Sequence, residues 1–333
     1  MSIDSIKGKR ILFFAPAFFN YEKMIADKMR EMGAEVDMYD VRSVSSAFHR
    51  ALLKIHPAIF YTRSKHYYQA VLEQNKEKDY NFILIIKCDM TPIAFLKQIR
   101  EAFPHAKKCL YLWDSVKNIP AIQRKFRYFD VCHSFDSKDC KKYSELKLRP
   151  LFFADQFRNT KKRKTSNQYD ISFLGTIHSD RFKLIRQIQE LAAKHDLKCY
   201  WFLYLQSHFM YRIYKALKKE FKGVPESTFA FDKMSASAIA EIVEKSRIIL
   251  DIQHPKQTGL TMRTIEMIGM NKKIITTNHA VKEYDFYSPN NIAVVDRNDI
   301  RIDLDFLKSD YCPIPDAIYE QYSLRSWVLD VLD

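Results

Sequence analysis

Residues 257–278 read QTGLTMRTIEMIGMNKKIITTN, a polar loop, a short helix, a tight turn and a buried strand in succession. The chain has only 6 glycines in 333 residues, well below average usage, and two of them, Gly259 and Gly269, stand at the two ends of this helix. Gly259 lets the backbone approach a ligand closely at the helix N-terminus, and Gly269 lets the chain leave the helix. Free N–H groups and the positive end of the helix dipole favour phosphate at that N-terminus. Glu266 follows about one and a half turns inside. Diphosphate on the amides and ribose hydroxyls on the carboxylate is the chemistry that suits this spacing. The competing reading is a surface pair, because Arg263 and Glu266 are three residues apart and can simply meet on the helix.

Other residues in the second half extend the pattern. Gly175 in SFLGTIHSDR follows an apolar strand, at the edge where doubly wound sheets bind ligands. The alternative there is an ordinary turn with Ser179 as helix cap. His254, in DIQHPKQTG, ends another strand beside the glycine loop, and Lys256 next to it suits neutralisation of a departing diphosphate. The ten histidines show no HxxxH or HExxH spacing, and no DxD-like pair stands in a metal-binding context, so no metal is expected. His133, inside VCHSF, reads as a core histidine.

The elements that must position these residues alternate. Strand 10–16 precedes a helix over 18–32 ended by Gly33, then an alternating strand AEVDMYDV. A helical, aromatic and basic stretch spans 46–77 with a break at Pro57. The strand NFILIIK, a helix over 92–103, and the strands KKCLYLWD and FDVCHSFD follow, and a strand at 148–153 closes the half. After a basic linker, YDISFLGT opens a second series: a helix over 180–195, the strand LKCYWFLYL, a basic aromatic segment over 208–222, a Ser-capped helix in SASAIAEIVEKS, and the strands RIILDIQ, KKIITT and NIAVV. Residues 316–332 read as helix, with Trp327, Leu329 and Leu332 for packing. This alternation predicts an α/β protein with doubly wound parallel sheets. The expected domains are 1–155, a linker 156–168, 169–312, and a helical tail 313–333.

Composition narrows the class. Hydrophobic residues make up 47% of the chain, so it is globular. The six cysteines show no CxxC spacing, several lie in apolar strands, and reduced buried thiols in a cytoplasmic protein are expected. No apolar run is long enough to span a membrane, and the N-terminal run is too short for a signal peptide. The net charge of +14 is uneven: residues 165–333 carry 22 basic and 22 acidic side chains, so the excess belongs to the first half and the linker. A basic half attracts an anionic partner, or it is a solvated surface. The segments YTRSKHYYQ and HFMYRIYKALKKEFK read either as membrane-surface faces or as helices whose aromatics pack inward.

The strand ILDIQ, then Gly259, Arg263, Glu266, Gly269 and the strand IITTN resemble the G-x-x-x-R-x-x-E signature of group 1 glycosyltransferases of GT-B fold. Such enzymes often serve capsule, exopolysaccharide or lipopolysaccharide assembly. The close match covers about thirty residues, and the rest agrees in plan. The resemblance implies two Rossmann-like domains facing a cleft, with the C-terminal helix returning to the first. It implies that Glu266 holds the donor ribose and that the amides near Thr258, Gly259, Leu260 and Thr261 hold the diphosphate, with Arg263 as a charge partner. It further implies that Gly175 and Thr176 face the cleft with Arg181 as a phosphate cation. The best-known form of the signature has a second glutamate eight residues before the helix glutamate; that place is Thr258, with Gln257 beside it. A transferase that inverts by direct displacement needs a base, and the strand-end acids Asp114, Asp89 and Asp136 are at hand. Asp114 is the first choice, with Trp113 and Tyr111 as a sugar-stacking wall, although Asp136 and Asp139 resemble helix-start acids.

The function expected is transfer of a sugar from a nucleotide-diphosphate donor to a glycan or lipid-linked, anionic acceptor in cell-surface polysaccharide synthesis. The setting is cytoplasmic, with peripheral contact at the inner membrane face, no cofactor and no nucleic acid. The alternatives are a nucleic-acid-binding protein, suggested by the basic pI, and a non-catalytic nucleotide-sugar-binding relative of the transferases.

Overall fold

A computed structural model of the chain describes residues 5–42, 61–159, 167–255 and 259–333. The chain forms two compact units, one of residues 1–151 with 324–333, the other of residues 152–323.

In the first unit six parallel strands, β1 (Arg10–Ala15), β2 (Glu35–Asp40), β3 (Phe82–Ile86), β4 (Lys107–Leu112), β5 (Val131–Ser134) and β6 (Leu146–Leu148), lie in the order β2-β1-β3-β4-β5-β6. Helices α1 (Tyr21–Glu31), α2 (Tyr61–Asn75), α3 (Ile93–Ala102) and α4 (Ser137–Lys142) connect them. Every residue of β3 is buried, as befits a parallel strand covered on both faces and written as an unbroken apolar run. In the second unit β7 (Tyr169–Thr176), β8 (Cys199–Tyr204), β9 (Ser246–Asp251), β10 (Lys273–Thr276) and β11 (Ile292–Val294) form a parallel sheet ordered β11-β10-β9-β7-β8. Helices α5 (Arg181–Lys194), α6 (His208–Leu217), α7 (Ala236–Glu244), α8 (Met262–Gly269), α9 (Leu304–Lys308) and α10 (Asp316–Gln321) accompany it.

Both sheets reverse their strand order once, between β1 and β3 in the first and between β7 and β9 in the second. At such a reversal the connections leave in opposite directions and open a crevice beyond the carboxyl ends of the strands.

The last helix, α11 (Leu324–Leu332), belongs to the first unit. Its Trp327 is wholly buried, edge-on to Tyr111 with ring centroids 4.7 Å apart. Arg149 Nε lies 2.7 Å from Asp330 Oδ2. The helix expected over 316–332 is therefore two helices, interrupted where Ser323 forms a β-bridge to Phe153.

Two further expectations change. No strand runs over 148–153: the ladder of β6 ends after the Arg149 N–H donates to the Ser134 carbonyl, because Pro150 has no N–H to continue it. Gly269 does not provide the turn after α8, since Asn271 takes the left-handed conformation there, with φ 52°. Its role is close packing. A Cβ at 269 would stand 2.5 Å from Phe153 Cγ and 2.7 Å from the Phe157 carbonyl. The Gly269 carbonyl also accepts from the Asn159 N–H and the Tyr319 hydroxyl, both at 2.7 Å. Gly269→Ala is expected to destabilise the second unit by about 1–3 kcal/mol, the usual range for overpacking, read as a lower urea midpoint at unchanged slope. The stretch 46–60 and the linker residues 160–166 lie outside the described residues.

Candidate functional site

The reversal point of the second sheet gathers the sequence-predicted residues. β9 ends at Asp251, whose Oδ2 accepts from Thr261 Oγ1 at 2.8 Å and Thr264 Oγ1 at 2.5 Å. Thr261 is the N-cap of α8, and its Oγ1 accepts the Thr264 N–H at 3.1 Å. Asp251 thus anchors the helix N-terminus, with the positive end of the helix dipole, at the carboxyl end of β9. The amides of Met262 and Arg263 have no hydrogen-bond partner among the described residues. Leu260 is buried, and the Gly259 carbonyl accepts from Asn278 Nδ2 at 3.2 Å, so the end of β10 pins the loop before the helix. Lys256, Gln257 and Thr258 lie outside the described residues.

Arg181, the first residue of α5, spans the reversal. Its Nη1 donates to the Thr176 carbonyl at the end of β7 (2.8 Å), and its Nη2 donates to the Ile252 carbonyl just past β9. Gly175 makes room for this: a Cβ there would meet Phe173 Cζ at 3.0 Å and Arg181 Nη1 at 3.6 Å, and the guanidinium lies over the Phe173 ring. Burial pushes Arg181 down to about 10, and the like charges of Arg297 and Arg263 act in the same direction against the opposing pull of Asp251 and Asp180. Arg181 Nε is buried without a hydrogen-bond partner among the described residues, and so is Arg263 Nη1. Arg263 Nη1 stands 3.3 Å from Glu266 Oε2, an ion pair without hydrogen-bond geometry. Glu266 is 4% exposed. The surface-pair reading of Arg263 and Glu266 therefore holds only in part: the two do meet, but the carboxylate is inside.

Two cations and a neutral histidine that the motif reading passed over complete the site. Arg297, just past β11, grips both oxygens of Asp180 at 2.8 Å and donates to the Gln253 carbonyl at 2.5 Å. Asp180 is the residue at the N-cap position of α5, and with its carboxylate committed to Arg297 it makes no side-chain cap; Ser179 is not the cap, but stands one residue earlier with φ 54°. Lys218 donates its ammonium proton to the Ser179 carbonyl. His178 and His254 lie with ring centroids 5.4 Å apart. Burial first, then the charges of Arg181, His254 and Lys218, pushes His178 down to about 4. No sequence signal marks Arg297, which is one arginine among many in a polar loop. His178 and Asp251 carry a legible one, each closing an apolar strand run.

The reversal point of the first sheet holds the proposed bases. Asp114, one residue beyond Trp113 at the end of β4, pairs with Lys87 Nζ at 2.6 Å; Asp89 is 3.8 Å from the same nitrogen. Lys87 and Cys88 both adopt left-handed backbone, φ 74° and 57°, an unfavourable conformation for such residues. Lys125 holds the turn, donating to the Cys88 carbonyl at 2.6 Å and the Asp89 carbonyl at 3.0 Å. Beside them Phe18 packs on Trp113 at 5.7 Å, and Phe18 and Phe19 are 49% and 70% exposed. Tyr111 is no sugar-stacking wall: it is fully buried, with its hydroxyl donating to the Arg149 carbonyl at 3.0 Å. Asp136 caps α4 through the Lys138 N–H and accepts from Ser115 Oγ at 2.6 Å; Asp139 accepts the Val116 N–H at 2.7 Å. Both are structural acids.

His133 is a core residue of β5, 5% exposed, with Nδ1 unpartnered among the described residues. Burial, then Lys147, Arg149 and Lys107, pushes it down to about 4. For His133 and His178 alike the folded form binds its proton more weakly than the unfolded chain, whose histidines titrate near 6.5. The unfolded state therefore holds more protons between about pH 4 and 6.5. Stability is expected to fall as pH drops through that window, and the Tm of His133→Gln is expected to fall less steeply over it than the Tm of the parent chain.

Among the described residues no group of three or more His, Cys, Asp and Glu is arranged to hold a metal ion. No described helix is long and apolar enough to cross a membrane.

No family model matches the chain, and no curated protein matches it in sequence. Solved structures do match its fold. HepE of Anabaena, in complex with UDP-glucose, superposes with a TM-score of 0.60 at 12% identity, covering 97% of this chain and 98% of that one. An alpha-glucosyltransferase in complex with UDP and a 13-mer DNA containing a central A:G mismatch gives 0.59 at 14% identity, with coverage of 97% and 94%. The apo form of the lipopolysaccharide outer core galactosyltransferase WaaB gives 0.53 at 11% identity, covering 97% of each chain. The chain is thus an α/β protein of the two-domain, Rossmann-like GT-B fold.

Proposed function

We propose that the protein is a glycosyltransferase that moves a sugar from a nucleoside-diphosphate donor, held by the second unit, to an anionic glycan or lipid-linked acceptor of cell-surface polysaccharide synthesis. The observation that carries this reading is a pair of buried guanidinium nitrogens, Arg181 Nε and Arg263 Nη1, without hydrogen-bond partners among the described residues, beside the capped N-terminus of α8. Clustered buried cations with unused donors call for an anion, and a helix N-terminus adds amides directed at it.

In this reading the diphosphate takes the amides of Met262 and Arg263, with Gly259, Leu260 and Thr261 shaping the approach and Gln257 and Thr258 completing the loop. Arg181, Arg263, His254 and Lys256 meet its charge, and Gly175 and Thr176 form the wall opposite. Glu266 accepts from the ribose hydroxyls. As the bond to the sugar breaks, charge develops on the leaving diphosphate, and fixed cations and amides stabilise it without reorganising. No metal is required for this. In the first unit Asp114 takes the proton of the acceptor hydroxyl, with Asp89 as its alternate; Lys87 must release Asp114 for this, since their 2.6 Å pair holds the carboxylate. The half-exposed Phe18 and Trp113 offer the acceptor an apolar face.

The test is a thermal-shift series with UDP-, GDP-, dTDP-, ADP- and CMP-sugars, followed by release of nucleotide in the presence of acceptors. One donor is expected to raise Tm in proportion to its affinity; no shift with any of them would refute the reading. The acceptor series includes duplex DNA, because the basic excess of the first half and linker suits any polyanion. Turnover with a duplex and with no glycan would favour a nucleic-acid acceptor. In the acceptor reaction Asp114→Asn is expected to lower kcat by about 10²–10⁴, the usual contribution of a general base, with the donor Kd unchanged.

A further inference from the structure

Helix α6 turns an apolar ridge to solvent. Phe209 is 69% exposed and Leu217 79% exposed, with Ile213 half-buried between them. Residues four apart follow one another along a helix face, so the three form a single stripe. The inward face of the helix is already engaged: Tyr211 is buried with its hydroxyl donating to the Val224 carbonyl at 2.9 Å, and Tyr214 packs on Phe221 with centroids 5.2 Å apart. The ridge is not part of that core.

Cations border it. Arg212 and Lys215 are exposed on the helix, and Lys219 and Lys222 are exposed in the turn that follows. Two carboxylates stand in residues 208–226, Glu220 and Glu226, and Glu226 is occupied by His208 at 2.8 Å. The basic aromatic segment of the first unit differs. In α2 the Tyr67 and Tyr68 hydroxyls donate to the Asp40 and Val41 carbonyls at 2.7 and 2.6 Å, so its aromatics serve the core.

We infer that α6 is a docking face for a bilayer that carries anionic lipid headgroups. Phe209, Ile213 and Leu217 enter the boundary between headgroups and acyl chains, and Arg212, Lys215, Lys219 and Lys222 meet the headgroup phosphates. A nucleic acid satisfies the cations but gives an exposed leucine nothing to pack on. Lys218, beside Leu217, donates to the Ser179 carbonyl, so the docked helix is tied to the loop after β7. The inference stands on α6 alone and does not depend on the donor reading.

The test is flotation of the full chain with vesicles of phosphatidylcholine, with and without phosphatidylglycerol. Binding is expected to the anionic vesicles, weakened by salt, and to fall at least about tenfold without phosphatidylglycerol, since each basic residue near such a surface is worth about 1 kcal/mol. A Phe209→Glu, Leu217→Glu double variant is expected to lose binding by at least about tenfold while Tm is kept, both side chains being exposed. Lys215→Ala with Lys219→Ala and Lys222→Ala is expected to flatten the salt dependence. Absence of flotation with anionic vesicles, equal flotation of the double variant, or retention of duplex DNA without flotation would each overturn the inference.

Discussion

Arg181→Ala is expected to lower the affinity for a nucleoside-diphosphate sugar by about a hundredfold to ten-thousandfold. Hydrogen bonds to charged groups contribute about 1.5–3 kcal/mol each, a guanidinium can offer phosphate two, and each tenfold in affinity is about 1.4 kcal/mol. The same substitution removes the donors to the Thr176 and Ile252 carbonyls, so stability is expected to fall as well. Arg181→Lys separates the two effects. It keeps the charge but has no fork with which to hold both strand ends; it is expected to recover part of the affinity and less of the stability. Isothermal titration at a temperature well below the midpoint of each variant checks this. A folded alanine variant with undiminished affinity would remove Arg181 from the donor site.

Glu266→Gln is expected to weaken binding of ribonucleotide diphosphates by about tenfold or more, from loss of the charge on an acceptor of hydroxyl hydrogen bonds. The sharper readout is discrimination. The parent chain is expected to prefer UDP over its 2′-deoxy counterpart, because a buried carboxylate left without its hydroxyl is costly, and the glutamine variant is expected to lose most of that preference. Glutamine keeps the shape that Arg263 packs against, so the midpoint of unfolding serves as control. An unchanged preference would return Glu266 to the plain role of partner for Arg263.

Much of this architecture was legible in the amino-acid order. Strands such as FILII declare themselves as apolar runs because parallel strands are covered on both faces, and the alternation with amphipathic helices dictates the class. The helix from Met262 was legible through the Gly259 loop before it and its Arg–Glu spacing, and its Thr261 cap was not. What was not legible depends on strand order. Thr176 and Ile252 are far apart in sequence, and only the adjacency of β7 and β9 brings their carbonyls to one guanidinium. Arg297, past β11, reaches Asp180, past β7, although β10 and β9 lie between those strands. The role of Gly269 was misread as a turn because sequence shows a helix end but not the Phe153 ring lying against it. In α6 the periodicity identifies an amphipathic helix, but whether Tyr211 or Phe209 points inward is settled by Val224 and Phe221, which lie beyond the helix.

The crystal structure of the chain with UDP, or with whichever nucleotide the thermal-shift series selects, tests the central claim most directly. The account predicts phosphate oxygens within hydrogen-bond distance of the Met262 and Arg263 amides and of the Arg181 and Arg263 guanidinium groups, with the ribose hydroxyls on Glu266. A nucleotide bound elsewhere at saturating concentration, with Arg181 Nε and Arg263 Nη1 still unpartnered, would contradict it.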